Sequence, residues 1–213
     1  CYTYCRCYFN CYFRLMAIAI NGSTNVITGV AVGGLPDGCV DTDTLATSVT
    51  RGKILQVVQT VKNDVYNADV AVGAYGVDVP GLTVSITPSN ASNKILVLIS
   101  VSVSFQDSTP TRMAATLFKD SSVISGAIGG ASQSLQRVSF SQEISEAYTT
   151  STISGEYLDT AGSTNATTYS VRLSHGHNGT KSVFVNRCSS SHESNHSYHH
   201  RSISTITAME VSA

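Results

Sequence analysis

The sequence has no tryptophan, only four prolines, and charge on just 13% of its 213 residues. What charge there is nearly cancels: thirteen Lys and Arg against fourteen Asp and Glu leave a formal net charge of -1. Such a chain has no long-range field with which to hold nucleic acid or an anionic membrane. No stretch approaches the roughly 18 uninterrupted apolar residues that a membrane-spanning helix needs. The densest run, Lys94 to Phe105, is broken by Ser100, Ser102 and Ser104. A soluble protein that neither inserts into membrane nor binds nucleic acid is therefore expected. Nucleotide chemistry lacks its loop: Gly29, Gly33 and Gly34 open no helix and no Lys-Ser/Thr pair follows a glycine-rich cradle. The Gly-x-Ser-x-Gly elbow of serine hydrolases is missing too. No repeat recurs at a period of roughly 20–50 residues, which disfavours solenoids and propellers.

Hydrophobic content of 42% is enough to build a core in one or two domains. Ser and Thr together number 54, a composition that suits solvated strand faces and turns better than helices. Four of the six cysteines (Cys1, Cys5, Cys7, Cys11) fall in residues 1–15. Two readings fit that segment. It is a small disulfide or zinc clip, or it is a non-native extension preceding a start at Met16. The abrupt change of composition at Met16 and a Cys spacing unlike that of known zinc sites favour the second. Cys39 and Cys188, far apart, are read as isolated thiols that imply no redox compartment.

Residues 16–51 form a Gly- and Thr-rich leader in which short apolar pieces alternate with turn signals at Asn21-Gly22, Gly33-Gly34 and Pro36-Asp37-Gly38. Its apolar residues, among them Ile18, Ile20, Val26, Ile27, Val30, Leu35 and Leu45, cannot bury one another alone and need a partner. One helical turn is expected over Asp41 to Ala46.

From Lys53 onward apolar and polar residues alternate with period two. Leu82, Val84 and Ile86 alternate with Thr and Ser, as do Val138, Phe140 and Ile144, and Tyr169, Val171 and Leu173. In Lys94 to Phe105 one face is Ile95, Val97, Ile99, Val101, Val103 and Phe105; the other is Leu96 and Leu98 followed by three serines. That pattern predicts burial on both faces at the leucine end and on one face at the serine end. Further strands are expected at Ile54 to Val61, Val70 to Ala74, Met113 to Phe118, Thr152 to Leu158, Val183 to Asn186 and Ile203 to Val211. The expected fold of residues 52–213 is an all-β, antiparallel sandwich of jelly-roll type.

Few residues suggest chemistry. Asp107, Glu143, Glu146, Glu156 and Asp159 could in principle supply an acid pair for glycoside cleavage, but sequence alone selects no two of them. All six histidines lie between His175 and His200. His175 and His177 project to the same side of an extended segment, a spacing able to bind Zn, Ni or Fe. No Cys or carboxylate stands beside them, so a polar surface loop is the favoured reading and no cofactor or metal is expected. Arg187 to Arg201, rich in Ser, Asn, His and Tyr, has the composition of a loop recognising polar surfaces such as glycans.

Met16 to Ala46, with TYSVRL (Thr168 to Leu173), VFVNR (Val183 to Arg187) and STITAMEV (Ser204 to Val211), resembles tail-fibre or virion fibre proteins of tailed bacteriophages, especially those of marine and cyanobacterial hosts. The Cys-rich start departs from that pattern. The resemblance implies a homotrimer, located in the virion at the tail or head surface, whose leader joins other phage structural proteins. Its C-terminal sandwich would face a host-surface glycan or protein. Under that reading His177, Asn178, Tyr198, His199 and Arg201 are the candidate receptor contacts, and Ile18 to Leu45 the attachment and trimerisation segment. A capsid or head decoration protein is the alternative, and a polysaccharide-degrading enzyme a more distant one.

Overall fold

Period-two burial from Lys53 onward produces strands, and a computed structural model shows how they pair. It describes residues 53–73, 75–107, 110–146, 149–189 and 199–213, with the backbone of β1 (Ala19–Asn21) and β2 (Val26–Thr28). In the leader, β1 and β2 form an antiparallel hairpin that sets Ile20 opposite Ile27. The Cys-rich start, Ile18, Val30, Leu35, Leu45 and the expected helical turn at Asp41 to Ala46 lie outside the described residues. The leader belongs to a separate unit, Cys1–Thr50, and residues 51–213 to another.

The larger unit is built from β3 (Ile54–Lys62), β4 (Tyr66–Val70), β5 (Val77–Ile86), β6 (Lys94–Phe105), β7 (Thr111–Lys119), β8 (Ser122–Val123), β9 (Phe140–Ile144), β10 (Ser151–Thr160), β11 (Thr167–His175), β12 (Lys181–Val185) and β13 (Ser204–Val211). Among the described residues the only helical element is a single 3-10 turn, Ser125–Ala127. Six strands form one sheet and five the other, all pairs antiparallel.

Two of the strands in the first sheet are interrupted. β3 and β4 run end to end along one edge, and β12 and β13 run end to end beside them, pairing β4 and β3 respectively. Both also pair β6, whose other edge takes β10. Counting each interrupted pair once, the first sheet takes the first, eighth, third and sixth strands in chain order. The second takes the second, seventh, fourth and fifth (β5, β11, β7, β9), with the short β8 beside β7. That connectivity is a jelly roll.

The core lies between the sheets. Ile95, Val97, Ile99, Val101, Val103 and Phe105 of β6 face Leu82, Val84 and Ile86 of β5, Met113, Ala115 and Leu117 of β7, and Tyr169, Val171 and Leu173 of β11. Each of the larger side chains contributes about 1.5–3 kcal/mol by leaving water.

Sequence and structure part company at the outer face of β6. Leu96 and Leu98 are half-buried, whereas Ser102 and Ser104 are fully buried, the reverse of the predicted polarity. The cause is the break between β12 and β13, which falls opposite Ser102. The Ser102 amide donates to Ser204 Oγ at 3.0 Å, and Ser202 Oγ lies 2.6 Å from Ser102 Oγ. Ser104 Oγ donates to the Arg187 carbonyl at 2.9 Å. The serines are covered because the crossing chain satisfies them.

Asn186 stitches both interruptions together. It is fully buried with φ at 61°, and its side-chain amide donates to the carbonyls of Lys62 and Asp64, both at 2.9 Å. Its carbonyl oxygen accepts from Ser204 Oγ at 2.6 Å. Asn is among the few residues that tolerate this left-handed conformation.

The strand expected at Val70 to Ala74 is instead β4, Tyr66–Val70. Beyond Val70 the chain turns through positive φ at Gly73, Tyr75 and Gly76, which ends a strand whatever its hydropathy. At Gly76 a Cβ would stand 1.7 Å from the Leu173 carbonyl oxygen, so only glycine fits.

Candidate functional site

Antiparallel pairing sorts the connections to two ends. The turns 71–76, 106–110, 145–150 and 176–180 share one end, since Val70 is paired with Lys181, Val183 with Phe105, His175 with Met113, Thr111 with Ile144 and Ser151 with Val103. The opposite end holds Ile54, where the leader joins, together with Lys94, Thr160 and Val211. The twelve residues of β6 put about 40 Å between the two.

The four-turn end is organised around Phe105. The rings of His175 and His177 lie 5.3 Å and 5.8 Å from it, centroid to centroid. His175 terminates β11 and is buried, which corrects its assignment to a polar surface loop. Its Nε2 lies 2.7 Å from the Val70 carbonyl and its Nδ1 accepts the His177 amide at 3.2 Å. These partners assign the Nε2–H tautomer.

With both ring nitrogens engaged, His175 has no lone pair for a metal. The two imidazoles share a side, as the spacing predicts, but do not form a ligand pair. Among the described residues no group of three or more His, Cys, Asp or Glu side chains could hold a metal ion.

His177 is partly exposed. Its Nδ1 lies 3.0 Å from the Asn178 carbonyl and its Nε2 3.7 Å from Asp107 Oδ2. The same carboxylate oxygen is 2.6 Å from Lys181 Nζ. Asp107, His177 and Lys181, with exposed Asn178 beside them, make a polar rim of mixed charge on turns anchored by rigid strands. Sequence reading picks out His177 and Asn178 but not Asp107 or Lys181. They come from the turn after β6 and the start of β12, and only the strand pairing brings them together.

The remaining candidate contacts are elsewhere. His199 and Arg201 belong to the excursion that leaves the sheet at Asn186 and returns at Ser202, whose amide donates to the Asn186 carbonyl at 3.5 Å. Five residues of β12, about 17 Å of extended chain, separate its root from the rim. Tyr198 lies outside the described residues. The two halves of the expected contact set therefore start from different levels of the sandwich.

The candidate acids are divided between the two ends and the outer face of the sandwich, with Glu143 and Glu146 toward the same end as Asp107. Asp107 is at the rim, and Asp159 is at the far end, 2.8 Å from both Lys119 Nζ and Tyr169 OH. Burial, and then the hydrogen bond to Asp159, push the Tyr169 hydroxyl far above the ordinary tyrosine range. Glu143 meets Arg112 at 3.7 Å on the surface, and Glu156 lies opposite Leu98 on the outer face of the first sheet. A shallow polar cleft of about 550 Å³ lies beside the outer face of the second sheet, bordered by Asp78 and Asp120. Asp78 is 2.8 Å from Arg172 Nε, and Asp120 accepts the Thr168 amide at 2.8 Å.

Cys188 is a buried thiol. Sequence reading leaves one hub unnoticed: Glu210, fully buried on β13, accepts hydrogen bonds from Gln56, Ser89 and Asn93. It fixes the 87–93 turn at the leader end. A lone acid in the alternating STITAMEV run is its only sequence signal. No protein-family model and no curated protein matches this chain.

Proposed function

We propose that this protein is a non-catalytic structural component of a tailed-phage virion, a homotrimeric fibre whose jelly-roll head attaches to the host surface. The observation that carries the reading is the polarity of the head: the leader joins at Ile54, and the polar rim of Asp107, His177, Asn178 and Lys181 is about 40 Å away at the opposite end. A head tethered at its Ile54 end has the rim at its other end. The resemblance of the leader and of the TYSVRL, VFVNR and STITAMEV segments to phage fibre proteins supports the same reading.

Recognition needs no cofactor. Mixed hydrogen-bonding groups on rigid turns suit weak contacts to a host glycan or protein, and three linked copies multiply a weak contact by a high effective concentration. The test is adsorption: labelled full-length protein is added to host cells, and the His177→Ala/Asn178→Ala variant is compared with it. Loss of cell binding with an unchanged melting temperature is the expected result. Equal binding by the two proteins removes the rim from the proposal. Immunogold labelling of the particle over the shell rather than the tail would favour a decoration protein, and release of reducing ends from host glycan would favour an enzyme.

A further inference from the structure

The inner face of the first sheet is sealed against the core, whereas its outer face keeps apolar side chains exposed. Pairing aligns Val57 of β3, Met209 of β13, Leu96 of β6 and Leu158 of β10 in one row across four strands. The adjacent row begins with Ile54 and Val211. Val57 is 54% exposed, Leu158 53% and Ile54 56%.

Among the described residues nine large apolar side chains are exposed, and five of them (Ile54, Leu55, Val57, Val61, Leu158) lie on β3 or β10 of this one sheet. The rest are scattered in or beside turns. Those five leave on the order of 400 Å² of apolar surface bare, the size of patch that on a monomer is often functional.

The edge of the sheet points the same way. β3, ILQVVQTVK, is an edge strand with no proline and no charge before Lys62. Uncovered edges of that kind template aggregation, and proteins cover or charge them.

We propose that this outer face and its β3 edge are where copies of the chain pack against one another. The inference rests on the trimeric reading above and names the surface it uses. The partner is a second copy for two reasons. The two rows flanking the apolar one carry one charge of each sign, Lys94 and Glu156, so the face has no net charge to offer a charged partner. The roughly 400 Å² of exposed apolar surface would by itself supply about half of the roughly 800 Å² per partner of a standard interface. An edge strand that no described residue pairs, beside an exposed face, suits a heterologous contact, the edge of one copy on the face of the next, which forms a ring where the rotation closes.

The experiment uses the full chain. Mass photometry across a dilution series compares wild type with the Val57→Lys/Leu158→Lys variant, and circular dichroism confirms that each retains its strands. Wild type is expected to be trimeric, and the variant to dissociate at about 100-fold higher concentration. A trimeric variant with unchanged dissociation overturns the face and leaves the trimer standing. A wild type monomeric at micromolar concentration overturns the trimer, and the face with it.

Should the variant fail to fold, hydroxyl-radical footprinting of wild type decides. Val57, Leu158 and Met209 are expected to oxidise more slowly in the assembly than after dilution to monomer. Equal rates in the two states overturn the face, whether the residues are bare in both or covered in both by the chain's own leader.

Discussion

Acid should unfasten the leader end of the head through Glu210. The carboxylate is fully buried and accepts four hydrogen bonds: from Gln56 Nε2 at 2.6 Å, Asn93 Nδ2 at 2.6 Å, the Ser89 amide at 2.7 Å and Ser89 Oγ at 2.8 Å. Burial pushes its pKa up, but the donors from Asn93, Gln56 and Ser89 outweigh burial and hold it at about 2, against an ordinary 4.5. A folded-state value depressed below the unfolded one contributes stability that is fully present above about pH 5. That stability is lost as pH falls through 4 toward 2. The shift corresponds to about 3 kcal/mol at ~1.4 kcal/mol per unit. Ser89 borders solvent, and the screening this allows brings the expectation to about 2 kcal/mol.

Glu210→Gln keeps the shape and removes the charge, turning an amide N–H₂ toward groups that already donate. Urea denaturation at pH 7 should show the variant weaker by about 2 kcal/mol, a midpoint lower by about 1 M for a slope near 2 kcal/mol/M. Other carboxylates titrate in both proteins, so the informative quantity is the gap between them. It should shrink as pH falls from 5 to 2.5, because the unfolded wild-type chain then binds a proton that folded Glu210 does not, a preference the variant lacks. A gap of constant size across that range would refute the assignment and show the residue acting through shape alone.

Four further perturbations probe the same construction. Asn186→Ala deprives the Lys62 and Asp64 carbonyls of their donor and Ser204 Oγ of its acceptor; it should lower stability by about 3 kcal/mol in equilibrium unfolding. Gly76→Ala sets a methyl against the Leu173 carbonyl at positive φ and should yield little folded protein at 37 °C, read as soluble yield against wild type. Phe105→Ala, at the end of the core beneath the rim, should cost about 3–5 kcal/mol in chemical denaturation and loosen the His177 turn, visible as faster amide exchange there. Lys119→Met leaves Asp159 without its cation and should destabilise by about 2–3 kcal/mol; removing Asp159 as well should recover part of that loss in a double-mutant cycle.

The rim illustrates how far residue order reaches. His177 and Asn178 stand out in the sequence because a Gly- and Asn-containing turn follows an alternating strand. Asp107 is seventy positions away, and nothing local marks it. The same limit applies to the serines of β6: alternation correctly predicts which side chains face inward, but burial of the outward ones depends on what crosses over them. A period-two pattern carries the direction of each side chain and no information about the neighbouring layer. Histidine clustering misleads for a related reason, since of the described histidines His175 takes a core position and His177 a place at the rim, though two residues apart in the chain.

By itself the sequence determined the class of fold and most strand positions from Lys53 on, because side chains that alternate in polarity can be half-buried only on an extended backbone. It also determined what the molecule has little means to do at long range, since balanced charge exerts little field. Tertiary structure alone decided the pairing of interrupted strands through Asn186 and the meeting of Asp107 with His177 and Lys181. It likewise decided the gathering of Val57, Met209, Leu96 and Leu158 into one exposed row. Those are contacts between residues distant along the chain, and their energies exist only after the antiparallel register has been chosen.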